Sequence, residues 1–189
     1  MIEYYKLEME KILFKEEQRF NQWWIWLLLI FTFAVSVVPI WYGFFKQITT
    51  GVPWGDNPTS DTGLAIIGVF TTLLMAGILI IFKTTCLYIE IRDTGIHFRY
   101  PPLVRKWRIV SKDEIERYTV GKYSPIGEYG GYGIRRSYGK YGRAYNVSGN
   151  LGLRLYLKNG KVILFGTQRT QAISAAMQKM MSDKEQTTR

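Results

Sequence analysis

Two uninterrupted apolar runs, Trp23–Phe45 and Leu64–Phe82, stand out from a chain whose other segments mix charged, polar and apolar positions. A bilayer core is about 30 Å thick and a helix rises about 1.5 Å per residue, so about 20 apolar residues span it. A helix also satisfies its own backbone donors and acceptors inside lipid. Both runs therefore predict transmembrane helices, at 23–45 and 64–82. The first carries aromatic residues at each end, Trp23, Trp24 and Trp26, then Trp41, Tyr42, Phe44 and Phe45. That matches the belt of amphipathic rings at headgroup depth. The second contains Gly68, Ala76 and Gly77, small residues that let two helices approach closely. Pro39 is expected to loosen the end of the first helix.

From Thr84 the period changes to two. Leu87, Ile89 and Ile91 alternate with Tyr88 and Glu90, and Ile96, Phe98 and Tyr100 repeat the pattern after the turn Asp93-Thr94-Gly95. These are half-buried strands. Pro101-Pro102 closes the second, and 107–110 and 116–120 add two more short strands. In 153–166 the dipeptide Asn159-Gly160 predicts a type I′ hairpin. Its register would place Lys158 opposite Lys161, Leu157 opposite Val162 and Leu155 opposite Leu164. Ile163, Phe165 and Tyr156 would then form a second apolar face needing cover. After Gly166 the period becomes helical. Ala172, Ile173, Ala176, Met177, Met180 and Met181 form one stripe, starting within Thr167–Thr170 and followed by a polar tail at 182–189.

Charge sharpens the topology. Residues 83–189 hold 20 Lys and Arg against 8 Asp and Glu, a net charge of +12. Lys6, Lys11, Lys15 and Arg19 precede the first run, and Lys83, Arg92 and Arg99 follow the second, whereas the connection 46–63 has only Lys46. By the positive-inside rule both termini face the cytoplasm and the connection lies outside. The expected order is a cytoplasmic segment 1–22, two spans in a cell (inner) membrane, a cytoplasmic domain 84–181 and a flexible tail. The segment 1–22 reads either as a surface helix at the bilayer or as an element docked on the domain. The single cysteine, Cys86, excludes an internal disulfide and any cysteine-cluster metal site. It reads as a packed small hydrophobe, and the single histidine, His97, as an exposed strand residue.

About seven short antiparallel strands closed by one amphipathic helix is the pleckstrin-homology (PH) layout. The order of two spans, strands, GIRRS, AYNVSGN, GLRLYLKNGKVILFGTQR and a helix resembles bacterial membrane-anchored PH-like proteins. The resemblance implies an α+β membrane protein. A transmembrane helix hairpin would be followed by a bent antiparallel β-barrel capped by a C-terminal helix. It implies no catalytic residues and no cofactor.

The chemically distinctive stretch is 123–150, where seven glycines alternate with six tyrosines and with Arg135, Arg136, Lys140 and Arg143. Glycine lets backbone N–H groups approach an anion, and arginine offers forked donors to phosphate or carboxylate. Arg135, Arg136, Lys140, Arg143 and Tyr132 are therefore the candidate ligand- or partner-binding residues. The plainer reading is a long hairpin whose glycines meet backbone demands and whose tyrosines pack on the sheet. The spacing fits neither a P-loop, since Tyr141 stands where Ser or Thr would hold magnesium, nor a dinucleotide fingerprint. A second basic cluster, Arg92, Arg99, Arg105, Lys106 and Arg108, is expected at the membrane surface.

No catalytic grouping or metal-ligand set is present in the sequence. The expected function is a non-enzymatic membrane-anchored module that binds a protein partner, itself or inner-leaflet lipid. The alternative is a nucleic-acid-binding or catalytic membrane protein that uses the loop 123–150.

Overall fold

The computed structural model describes residues 11–137 and 139–187. The chain forms two compact units, one of Phe20–Thr84 and one of the chain up to Arg19 together with Thr85 onward.

The helical unit is a hairpin of α1 (Trp23–Thr50) and α2 (Asp61–Thr84), both longer than the apolar runs that predicted them. Both are long and apolar enough to cross a membrane, and only 11% and 17% of their apolar windows are buried. A core helix of a soluble protein would be mostly covered, so the low figures favour lipid as the surrounding solvent. Trp41 Nε1 donates to Thr72 Oγ1 across the hairpin at 3.0 Å, and Phe20 packs on Phe82 with ring centroids 5.4 Å apart. Gln47 orders the connecting loop. Its amide nitrogen donates to Thr59 O and Asp61 Oδ1, and its amide oxygen accepts from Trp54 N. The Trp54 ring lies directly over Gly43, where a Cβ would meet it at 2.3 Å.

The second unit contains nine strands among the described residues: β1 (Ile12–Arg19), β2 (Cys86–Arg92), β3 (Gly95–Tyr100), β4 (Val104–Ser111), β5 (Ile115–Lys122), β6 (Gly133–Arg136), β7 (Arg143–Asn146), β8 (Leu151–Leu157) and β9 (Val162–Gly166). A 3₁₀ turn, Lys112–Glu114, separates β4 from β5; a short α3 (Pro125–Tyr129) follows β5, and α4 (Thr170–Thr187) closes the chain. Sheet A has the order β1-β2-β3-β4 and sheet B the order β5-β8-β9-β7-β6.

The segment left open by the sequence is thus in part a strand of sheet A. Glu16 lies opposite Ile89 and Arg19 opposite Cys86. The helical hairpin is an insertion between two neighbouring, hydrogen-bonded strands. Residues 1–10 of that segment lie outside the described residues.

The two sheets face each other. Phe98 of β3 lies 4.8 Å from the rings of both Tyr145 on β7 and Phe165 on β9. Tyr100 donates its hydroxyl to Asn146 O at 3.1 Å. The α4 stripe packs against β1, β2, β5 and β8. Ile173, Met177 and Met180 are fully buried there, each contributing about 1.5–3 kcal/mol by removal from water.

Neither sheet closes into the expected barrel. β7 runs parallel beside β9, with Arg143 opposite Ile163 and Tyr145 opposite Phe165. It thereby takes the edge of β9 that a closed barrel would pair onward.

The β8–β9 register is also one residue from that predicted. Leu155 lies opposite Ile163 and Leu153 opposite Phe165. Only Gly160, at φ +76°, has a positive φ in this turn. Asn159 Oδ1 instead accepts from Lys161 N at 3.1 Å. A type I′ turn needs two positive-φ residues; a three-residue loop with glycine in the left-handed position needs one. The shift places Leu153, Leu155, Leu157 and Phe165 on one face.

His97 is 2% exposed rather than solvent-facing. β3 is a central strand, so Glu90 and Ile109 flank His97 on the two sides. Cys86 is buried as expected, and burial pushes its thiol pKa up.

Candidate anion-binding cleft

The stretch 123–150 divides its work by residue type. Tyr123, Tyr129 and Tyr141 pack with Ala144 and Leu164, covering the outer side of β9. Tyr129 donates to Tyr141 O at 2.9 Å, and Asn146 Nδ2 donates to the Tyr123 hydroxyl at 2.9 Å. Burial pushes the Tyr123 pKa up to about 12, with the Asn146 bond pulling the other way. Arg154 pairs with Glu128 and stacks on the Tyr141 ring. Tyr123, Tyr129 and Tyr141 are thus structural.

The cations go elsewhere. Gly142, at φ +71°, carries the chain so close to β9 that a Cβ would stand 2.1 Å from Val162 O. From that point β7 starts with Arg143, and antiparallel pairing with β6 sets Arg136 directly opposite it. Side chains paired in this way stand about 4.5–5.5 Å apart at Cβ. Two like charges so placed are unfavourable without an anion between them.

Both residues line a cleft of about 560 Å³. Phe98, Tyr145 and Leu157 supply apolar lining, and Arg108, Arg136, Lys140, Arg143 and Lys161 bring five cations to it. Glu114 is the one acidic residue lining it among the described residues. Its carboxylate already accepts from Ser111 N at 3.0 Å, capping the 3₁₀ turn. Arg108 reaches the cleft because it pairs with Phe98 on the inward face of β4. Lys161 reaches it through the tight β8–β9 turn.

The two sequence clusters are regrouped by the fold. Arg136, Lys140 and Arg143 share the cleft, and Arg108 joins them from the other cluster. Arg135 and Tyr132 do not line it. Arg135 pairs opposite Ala144 and donates Nε to Tyr132 O at 2.9 Å. Arg92 forms a 2.8 Å ion pair with Glu90. Arg99 lies over the rings of Tyr88 and Trp107, at 4.3 and 4.8 Å. Arg105 and Lys106 are exposed outside the cleft. Lys161, Phe98 and Tyr145 carried no local signal, since only long-range pairing brings them together.

No protein-family model, curated protein or solved structure matches the chain.

Proposed function

We propose that the protein is a membrane-anchored interaction module that holds an acidic segment of a partner protein in the cationic cleft and performs no chemistry of its own. The observation that carries this reading is the excess of cations over carboxylates around an apolar lining. Arginine and lysine suit carboxylates, and Phe98, Tyr145 and Leu157 suit apolar side chains between them. Among the described lining residues there is no histidine, cysteine or serine to serve as base or nucleophile.

Both termini are read as cytoplasmic from the Lys and Arg distribution, which puts such a partner in the cytoplasm. The PH-like reading enters on the same footing. A two-sheet body with a C-terminal helix against one opening and a ligand at another suits a non-catalytic binding domain.

The test uses the full chain in nanodiscs of neutral lipid and a fluorescent peptide alternating Glu and Leu. The Arg136→Glu/Arg143→Glu double variant should weaken binding about tenfold, since each exposed charge contact contributes up to about 1 kcal/mol. Added salt should weaken the wild type as well. A cleft that ignores the peptide but binds anionic vesicles, with the same sensitivity to the double variant, would replace the protein partner by lipid. Concentration-dependent oligomers abolished by the double variant would replace it by a second copy.

A further inference from the structure

A second surface lies at the other end of sheet A, where the chain connects to the helices. The turn Pro101–Leu103 is held to the first residue of β2 by the bond from Cys86 N to Pro101 O, 3.2 Å long. Cys86 follows Thr84, the last residue of α2, with one residue between. Leu103 at that turn is 68% exposed, and Trp107 on β4 is also exposed.

Around them the outer face of sheet A is aromatic and basic. Tyr88 pairs directly with Arg99 across β2 and β3, and the Trp107 ring stands 6.4 Å from Tyr88. Arg19, at the end of β1, reaches the Tyr88 hydroxyl at 3.5 Å. Arg105 and Lys106 are exposed on β4 beside the turn. Among the described residues two carboxylates lie on this face: Glu17, opposite Tyr88 and 3.9 Å from Lys15 Nζ, and the buried Glu90, ion-paired with Arg92 and Lys15.

We propose that this face is a lipid-contact surface, seated in the anionic headgroup layer of the bilayer that α1 and α2 span. Leu103 enters the interface, Trp107 and Tyr88 lie at headgroup depth, and Arg19, Arg99, Arg105 and Lys106 meet phosphate oxygens. Three features select a lipid surface over a protein. A single residue links the patch to a membrane helix. Its rings are of the amphipathic type that settles at membrane interfaces. Its cations outnumber the carboxylates among the described residues, and Glu90 is already paired with Arg92 and Lys15, which suits an anionic leaflet. The inference rests on α1 and α2 crossing a membrane and is independent of what the cleft binds.

The test places a nitroxide spin label at Leu103→Cys, and separately at Asn159→Cys, in the full chain in phosphatidylglycerol-containing nanodiscs. The native Cys86 is 1% exposed and does not compete for label. Accessibility to oxygen relative to a water-soluble nickel complex reports depth. The expected result is a ratio several-fold higher at 103 than at 159. The 103 ratio should fall when Arg105→Glu and Lys106→Glu are introduced, with the 159 ratio unchanged. Equal, water-like ratios at both positions would overturn the proposal. So would a high ratio at 103 that is the same in nanodiscs of neutral lipid and is unmoved by Arg105→Glu and Lys106→Glu, which would mean that protein covers the site.

Discussion

Glu16 is a carboxylate only 6% exposed, with both oxygens engaged. Oε2 accepts from Thr167 Oγ1 at 2.6 Å, and Oε1 accepts from Gln168 N at 2.9 Å. It therefore ties the first strand to the start of α4, about 150 positions later in the chain. Hydrogen bonds to charged groups contribute about 1.5–3 kcal/mol each, and breaking both leaves buried donors unmade. Glu16→Ala should lower stability by about 3 kcal/mol, read as a drop in the urea midpoint. Glu17→Ala, on the outer face, should change it by less than about 1 kcal/mol. The sequence hid this role because KEEQR looks like a solvated run. Only its placement on an inward strand position reveals the buried carboxylate. The buried tyrosines give a second prediction at this scale. In the folded protein the Tyr123 hydroxyl ionises near 12, against about 10 in the unfolded chain. The folded form therefore holds its proton longer. That contribution is complete below pH 10 and is lost as pH rises from 10 towards 12, by an amount of order 2 kcal/mol. Urea midpoints at pH 9 and pH 11.5 should differ accordingly, and Tyr123→Phe should reduce the difference.

Elements were legible where composition alone decides them. The two helices follow from long apolar runs, and the C-terminal stripe from its 3.6-residue period. Strands that carry polar residues inward were not legible. β1 presents Phe14, Glu16 and Gln18 to the core, and two of those three break the apolar alternation. The turn at Asn159-Gly160 was legible as a turn but not in its type, because the same dipeptide serves two loop lengths with opposite registers. β7 was hidden among glycines, and the cleft depends on it. Gly142→Ala should separate that strand from β9, since the new Cβ would meet Val162 O at 2.1 Å in a backbone region disfavoured for alanine. The strain alone is about 1–2 kcal/mol, and the clash adds to it. Melting temperature and peptide binding should fall together. At Gly139 a Cβ meets nothing within 4 Å, so Gly139→Ala should leave the melting temperature unchanged.

At the scale of the molecule, the decisive feature is that the helical hairpin is inserted between two adjacent strands instead of preceding a domain. The apolar pattern suggests a boundary near residue 84, but a fragment starting there lacks β1. Leu87, Ile89 and Ile91, each 0% exposed, would lose the strand that pairs beside them, and β2 would become an open edge prone to pairing with other chains. The register supplies a better division. Arg19 and Cys86 are direct partners, so their backbones are already as close as the last pair of a hairpin. Joining them through Asn-Gly, in place of residues 20–85, asks the chain for a two-residue turn of the most favoured kind. The spliced chain should be monomeric and soluble without detergent and should unfold in one cooperative transition. Residues 84–189 alone should aggregate. Size-exclusion chromatography and far-ultraviolet circular dichroism would separate these outcomes. A soluble, cooperatively folded 84–189 would mean that β1 is dispensable, and the coupling through Glu16 would then have little energetic weight. The spliced form should also keep the salt-sensitive peptide binding of the full chain, because none of the residues lining the cleft lies between 20 and 85.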